Sequence, residues 1–166
     1  AFLLAQHISE GRWEEAEPWL RRAVDEARAC GCERVLLSSE WLLGALATDD
    51  RLIELSRCLE QLGGSGVELL LVLREPVGQL ISLYKHRAKS GAVGSIDAWT
   101  EYGYDLPRRL AGIRRQVETS GVPLIVRGYA KESGALESVF FQDWLGVPVP
   151  EGSSKLRVNP SLSLSE

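Results

Sequence analysis

The chain has no methionine, only three cysteines and no long hydrophobic run. Cys30, Cys32 and Cys58 are an odd set with one C-x-C pair. That pattern builds neither a disulfide framework nor a four-ligand zinc site, so buried or idle thiols in a reducing cytosol are expected. With two histidines and no dense acidic triplet, no metal is implied. The longest apolar stretch, Val67 to Leu73, is broken by Glu68 and is far too short for a membrane span. The start carries no basic segment of the secretory kind, so a cytoplasmic location is expected. A net charge of −4 disfavours nucleic acid as a partner.

What is present fits a single folded domain over residues 1–166. At 45% hydrophobic and 25% charged, the chain can build a core and has no disordered signature. Helical spacing runs from Gly11 to about Cys30, through Trp13, Ala16, Leu20, Ala23, Val24 and Ala27, and Gly31 ends it. Arg34–Leu37 reads as a short strand. Trp41–Ala47 reads as a short helix, and Asp49 and Asp50 open a longer one to about Leu62. After Gly63-Gly-Ser-Gly, the aliphatics of Val67–Leu73 read as a strand buried on both faces of a parallel sheet. Pro76 then opens a helix to about Lys89, with Gly91 behind it. A short helix begins at Ser95, and another spans Leu106 to Thr119, closed by Gly121. Val122–Val126 is the third strand and Leu136–Leu145 the last helix. Strands alternating with helices predict an α/β domain: a parallel sheet flanked by helices.

Ligands of such sheets sit beyond the carboxyl ends of the strands. Arg74 stands at such an end, and the helix after it turns its first N–H groups toward the same space. On that helix Val77, Ile81, Tyr84 and Ala88 share the face expected to be buried. Glu75, Gln79, Ser82, His86 and Lys89 share the opposite one. By spacing alone, this second stripe is either a ligand face bearing the Ser82 hydroxyl or merely solvated.

Val72-Leu-Arg-Glu-Pro-Val-Gly-Gln-Leu-Ile-Ser-Leu-Tyr-Lys-His resembles the 3′-phosphate motif of sulfotransferases that use 3′-phosphoadenosine 5′-phosphosulfate (PAPS). In that family a hydrophobic strand is followed by Arg-x-Pro, then by a serine near the second helical turn and commonly an aromatic. Arg74, Pro76, Ser82 and Tyr84 match it. The resemblance implies that Arg74 and Ser82 hold the donor's 3′-phosphate. Val35-Leu-Leu-Ser-Ser-Glu-Trp is similar to the segment bearing the acceptor-activating residue, which makes Glu40 the candidate base; the alternative is a helix cap or an ion pair. Lys155-Leu-Arg-Val-Asn-Pro-Ser-Leu-Ser is similar to the late R-x-N-x-S loop of bacterial carbohydrate-type members. It would bring Arg157 and Asn159 over the adenosine or its phosphate; otherwise they belong to an ordinary surface tail. Val126-Arg127-Gly-Tyr and Phe141-Gln-Asp-Trp-Leu-Gly-Val resemble later family blocks. The likeness covers scattered blocks over residues 33–163.

The family's 5′-phosphosulfate loop, of the form Pro-Lys-x-Gly-Thr-Thr, has no counterpart here. Gly63-Gly-Ser-Gly lacks a lysine and precedes a strand, and Lys89-Ser-Gly-Ala follows a helix. The loop is expected upstream of Ala1. The resemblance thus implies a P-loop-NTPase-like sulfotransferase fold missing its first strand, a truncated domain not fully active by itself. The expected reaction is sulfonate transfer from PAPS to a hydroxyl or amine of a glycan or small-molecule acceptor, releasing adenosine 3′,5′-bisphosphate. The alternatives are a P-loop-type small-molecule kinase and a non-catalytic interaction domain of the same fold. Arg108, Arg109, Arg114 and Arg115 form a basic cluster that either attracts an anionic glycan or is a solvated face.

Overall fold

A computed structural model describes residues 2–91, 94–129 and 138–149 of the 166. Helix α1 (Phe2–Glu10) turns at Gly11, whose φ of 69° is left-handed, into α2 (Trp13–Ala29). A segment without regular structure leads to α3 (Glu40–Leu46), then α4 (Arg51–Gln61). Strand β1 (Leu69–Arg74) feeds α5 (Pro76–Lys89). The three-residue α6 (Ile96–Ala98) runs on into a π-helical turn, Trp99–Gly103. Helix α7 (Leu106–Ser120) and strand β2 (Leu124–Tyr129) follow, and a second π-helical segment spans Ser138–Trp144.

The core is helical. Leu4 and Ile8 of α1, Ala16 and Leu20 of α2, Ala45 and Leu46 of α3, Leu52 and Leu55 of α4, and Ile113 of α7 bury one another, with Leu62 and Val122 closing the cluster. Apolar burial of this kind is the main favourable term in folding, about 1.5–3 kcal/mol per fully buried large side chain. Helix α1, to which no element was assigned from sequence, supplies Leu4, Ala5 and Ile8 at the spacing of one buried helical face. Polar ties lock the helices in place. Trp13 Nε1 and Arg51 Nη1 both donate to Glu54 Oε2, at 2.8 and 2.7 Å, and Arg28 Nη2 donates to the Leu62 carbonyl at 2.6 Å, at the end of α4.

The α/β reading holds in its coarse form: the chain is mostly helical, with two parallel strands among the described residues. They pair from Leu69 with Leu124 to Arg74 with Tyr129. Three expectations need correction. Arg34–Leu37 joins no ladder. Val35 and Leu36 are exposed, Leu37 rests against the helical core, and Arg34 Nη1 donates to the Leu145 carbonyl at 2.9 Å. Burial of β1 on both faces is not found, since its residues are half-buried up to the exposed Arg74. A two-stranded sheet has too few neighbours to cover them. Lastly, the apolar face of α5 is uncovered: Val77 is 63% exposed and Ile81 40%.

The helix ends follow local chemistry. Gly31, Gly91 and Gly121 each take positive φ just past a helix. Pro76 stands at the first position of α5, where its missing N–H costs nothing. No described helix is long and apolar enough to cross a membrane. Cys30 and Cys32 are exposed rather than buried, and Cys58 is half-buried.

Candidate functional site

Strand β1 ends at Arg74 and α5 begins two residues later, so the first N–H groups of the helix open beside the guanidinium. The intervening Glu75 is the cap. Its carboxylate accepts from the amide of Val77 at 2.7 Å and from that of Gly78 at 2.6 Å. The Gly78 and Val77 amides, with Arg74 beside them, hold this carboxyl below the usual glutamate range. The helix start thus carries an anion of its own.

Arg74 leans over the same turn. A Cβ placed on Gly78 would lie 3.8 Å from its Nε and 3.9 Å from its Nη2. Gly78 is one turn before Ser82, so the guanidinium lies at the foot of the stripe that carries this serine. Ser82 is exposed, as is His86 one turn further on. Tyr84, placed by sequence on the buried face, is half-buried and donates its hydroxyl to the Gly94 carbonyl at 2.9 Å.

Tyr104 had no signal in the sequence. It is half-buried where the first π-helical turn ends, its amide bonding the Trp99 carbonyl at 2.8 Å. Burial raises its phenol, and the negative charge of Glu75 raises it further. The i to i+5 bonding that delivers Tyr104 has no hydrophobic period to betray it.

Glu40 belongs to α3, a different element from the β1–α5 junction. It is the first residue of α3 and exposed, and no hydrogen bond or ion pair ties it to another described residue. The cap of that helix is Ser39, whose Oγ accepts from the Trp41 amide at 3.3 Å, and Glu40 has no ion-pair partner among the described residues. Its segment is outside the sheet, so no strand carries it to the edge where Arg74 sits. Arg157 and Asn159 lie outside the described residues. Of the basic cluster, Arg109 Nε bonds Asp105 Oδ2 at 2.7 Å and Arg114 Nε bonds Glu118 Oε1 at 2.8 Å.

No family model, no curated protein and no solved structure matches this chain.

Proposed function

We propose that the chain binds the 3′-phosphate end of a PAPS-type nucleotide at the β1–α5 junction, as part of a sulfotransferase acting on a hydroxyl or amine of a glycan or small molecule. The observation that carries this reading is the position of Arg74 over Gly78, one turn from Ser82 on the same face of α5. The close approach at Gly78 is by the Glu75 carboxylate, 2.9 Å from a Cβ placed there, with the Arg74 guanidinium at ordinary contact distance beyond it. An arginine fork and a hydroxyl suit the non-bridging oxygens of a phosphate monoester.

Glu75 shapes what can bind. Its carboxylate already takes the Val77 and Gly78 amides, so a phosphate here relies on Arg74 and Ser82 or swings Glu75 aside. Glu40 is proposed as the base on the acceptor, because it is exposed and unclaimed by any described partner. It would take the proton from the acceptor hydroxyl as the oxygen bonds to sulfur and the sulfur–phosphate oxygen bond breaks.

The test is thermal unfolding with adenosine 3′,5′-bisphosphate, which raises the melting temperature if it binds the folded chain. Arg74→Ala and Ser82→Ala should each reduce the shift, and Glu40→Gln should leave it intact. Equal protection by adenosine 5′-monophosphate, which lacks the 3′-phosphate, would sink the reading. Stronger protection by ATP with Mg²⁺ would replace it with a kinase.

A further inference from the structure

A hollow of about 680 Å³ lies between α1, α3 and α7, within the ~300–1,000 Å³ span of small-molecule sites. Its charges, its aromatic surface and one unanswered acceptor define the chemistry of a guest.

The charges of the lining cancel. Arg108, Arg109 and Arg115 stand on the α7 side, against Glu10 of α1, Asp49 from the turn after α3 and Asp105 at the start of α7. Asp105 Oδ2 takes Arg109 Nε at 2.7 Å, with Arg108 Nη2 at 3.9 Å. Glu10 has Arg12 at 2.5 Å and Asp49 has Arg51 at 3.6 Å, and those two arginines are shared with Glu15 and Glu54. No surplus of either sign is left to draw a charged guest. The side chains of Glu10, Asp49 and Asp105 are each more than a third exposed, so their oxygens can still accept. A guanidinium only donates and a carboxylate only accepts. A guest that meets both needs groups that do both, and a hydroxyl does.

Aromatic surface adds an apolar platform. Phe2 and Trp41 are 52% and 51% exposed, and their rings meet edge to face at 5.1 Å. The C–H face of a saturated ring can leave water against such a surface. Gln116 supplies the third feature. It belongs to the lining, is buried at 8% exposure, and its Oε1 accepts no hydrogen bond. A buried carbonyl oxygen of this kind is costly, and what it lacks is an O–H or N–H donor.

We infer that this hollow binds a neutral ring bearing several hydroxyls, of the kind a monosaccharide unit presents. One C–H face lies on Trp41 and Phe2. Hydroxyls at the ring's edge donate to Asp49 or Asp105 and accept from Arg115. A further hydroxyl donates to Gln116 Oε1, which the broad last torsion of the amide can turn to meet it. The site shares no residue with the β1–α5 junction and does not depend on the sulfotransferase reading. Failure of either ligand to bind would leave the other result standing.

Titration calorimetry on the full chain tests this, with methyl glucoside, methyl galactoside and methyl N-acetylglucosaminide as probes. Glycerol serves as the ringless polyol and benzyl alcohol as an aromatic ring with one hydroxyl. Saturable one-to-one binding of at least one glycoside is expected, about tenfold tighter than either control and insensitive to salt. Trp41→Ala should weaken it about tenfold. Gln116→Leu removes the lone acceptor and keeps the bulk, so it should weaken binding about fivefold without lowering the melting temperature. Absence of saturation by every glycoside up to about 10 mM, benzyl alcohol binding as tightly as the best of them, or full affinity in both variants would each overturn the proposal. So would an affinity that falls steeply as salt is raised, which would mark a charged guest.

Discussion

The carboxylate of Glu75 accepts the Gly78 amide at 2.6 Å, so the start of α5 is capped by a charge belonging to the motif's own variable residue. Any phosphate held by Arg74 binds beside that charge. Replacing Glu75 with glutamine keeps an acceptor for one amide and removes the repulsion. Glu75→Gln should tighten adenosine 3′,5′-bisphosphate about two- to fivefold, the usual reach of a charge at a helix end. Calorimetry on both proteins at low ionic strength gives the ratio, and an unchanged or weaker affinity would place the ligand elsewhere.

The same cap makes stability depend on pH, and the sign follows from the direction of the shift. Its amide donors and Arg74 lower the Glu75 carboxyl in the folded state, while in the unfolded chain it returns to about 4.3. Its stabilising contribution is therefore complete above about pH 4.3 and is lost as pH falls through the lowered folded value. Wild type should be more stable than Glu75→Gln at pH 7, and the gap should shrink as pH falls below the unfolded value and through the lowered folded one. Urea midpoints at several pH values measure it; a gap that widens in acid would mean the carboxyl is raised instead.

Much of the chain's punctuation could be read directly, because it rests on single residues. Gly31, Gly91 and Gly121 end their helices in the left-handed region, Pro76 opens α5, and the Ser95 Oγ accepts the Ala98 amide at 3.2 Å. The aliphatic run that became β1 was equally plain. What escaped depended on partners distant in sequence. Helix α1 is nine residues long, too short to stand alone, and is held by packing against α2 and α3. Val35 and Leu36 resemble strand residues but find no ladder. At the candidate site, the position of Arg74 at the end of β1 and just before Pro76 was legible, while the roles of Arg74 and Ser82 came only from the family resemblance. The role of Glu75 was not legible, since the motif leaves it as a free position.

Two glycines on facing helices should answer differently to a methyl group. A Cβ on Gly112 would lie 2.1 Å from the Ala47 carbonyl oxygen, which is backbone and cannot step aside. Gly112→Ala should cost about 1–3 kcal/mol or more. A Cβ on Gly44 would meet the end of the Arg109 side chain at 2.7 Å, and that guanidinium can move. Gly44→Ala should be neutral, or gain up to about 1 kcal/mol from helix propensity. Denaturant unfolding of the two variants gives both numbers, and equal losses would contradict the close approach.

The three thiols should separate by reactivity. Cys30 and Cys32 are exposed, whereas Cys58 is half-buried on α4, where desolvation and then the charge of Glu17 raise its thiol. Less thiolate and poorer access both slow attack. Labelling with a disulfide reagent at pH 8 should show two fast sites and one about tenfold slower or more, and mild urea should merge them. Three equal rates would show that α4 opens more readily than its buried Leu52 and Leu55 imply.

The contact between Gly112 and the Ala47 carbonyl has a mechanical result for the hollow that both residues line. Main chain meets main chain there, so α3 and α7 cannot draw closer, and pushing them apart would open the packing of Ala45, Leu46 and Ile113. Two sides of the hollow thus behave as a fixed jaw. Any movement at the hollow therefore falls to the remaining side, the short first helix with its unshielded phenylalanine.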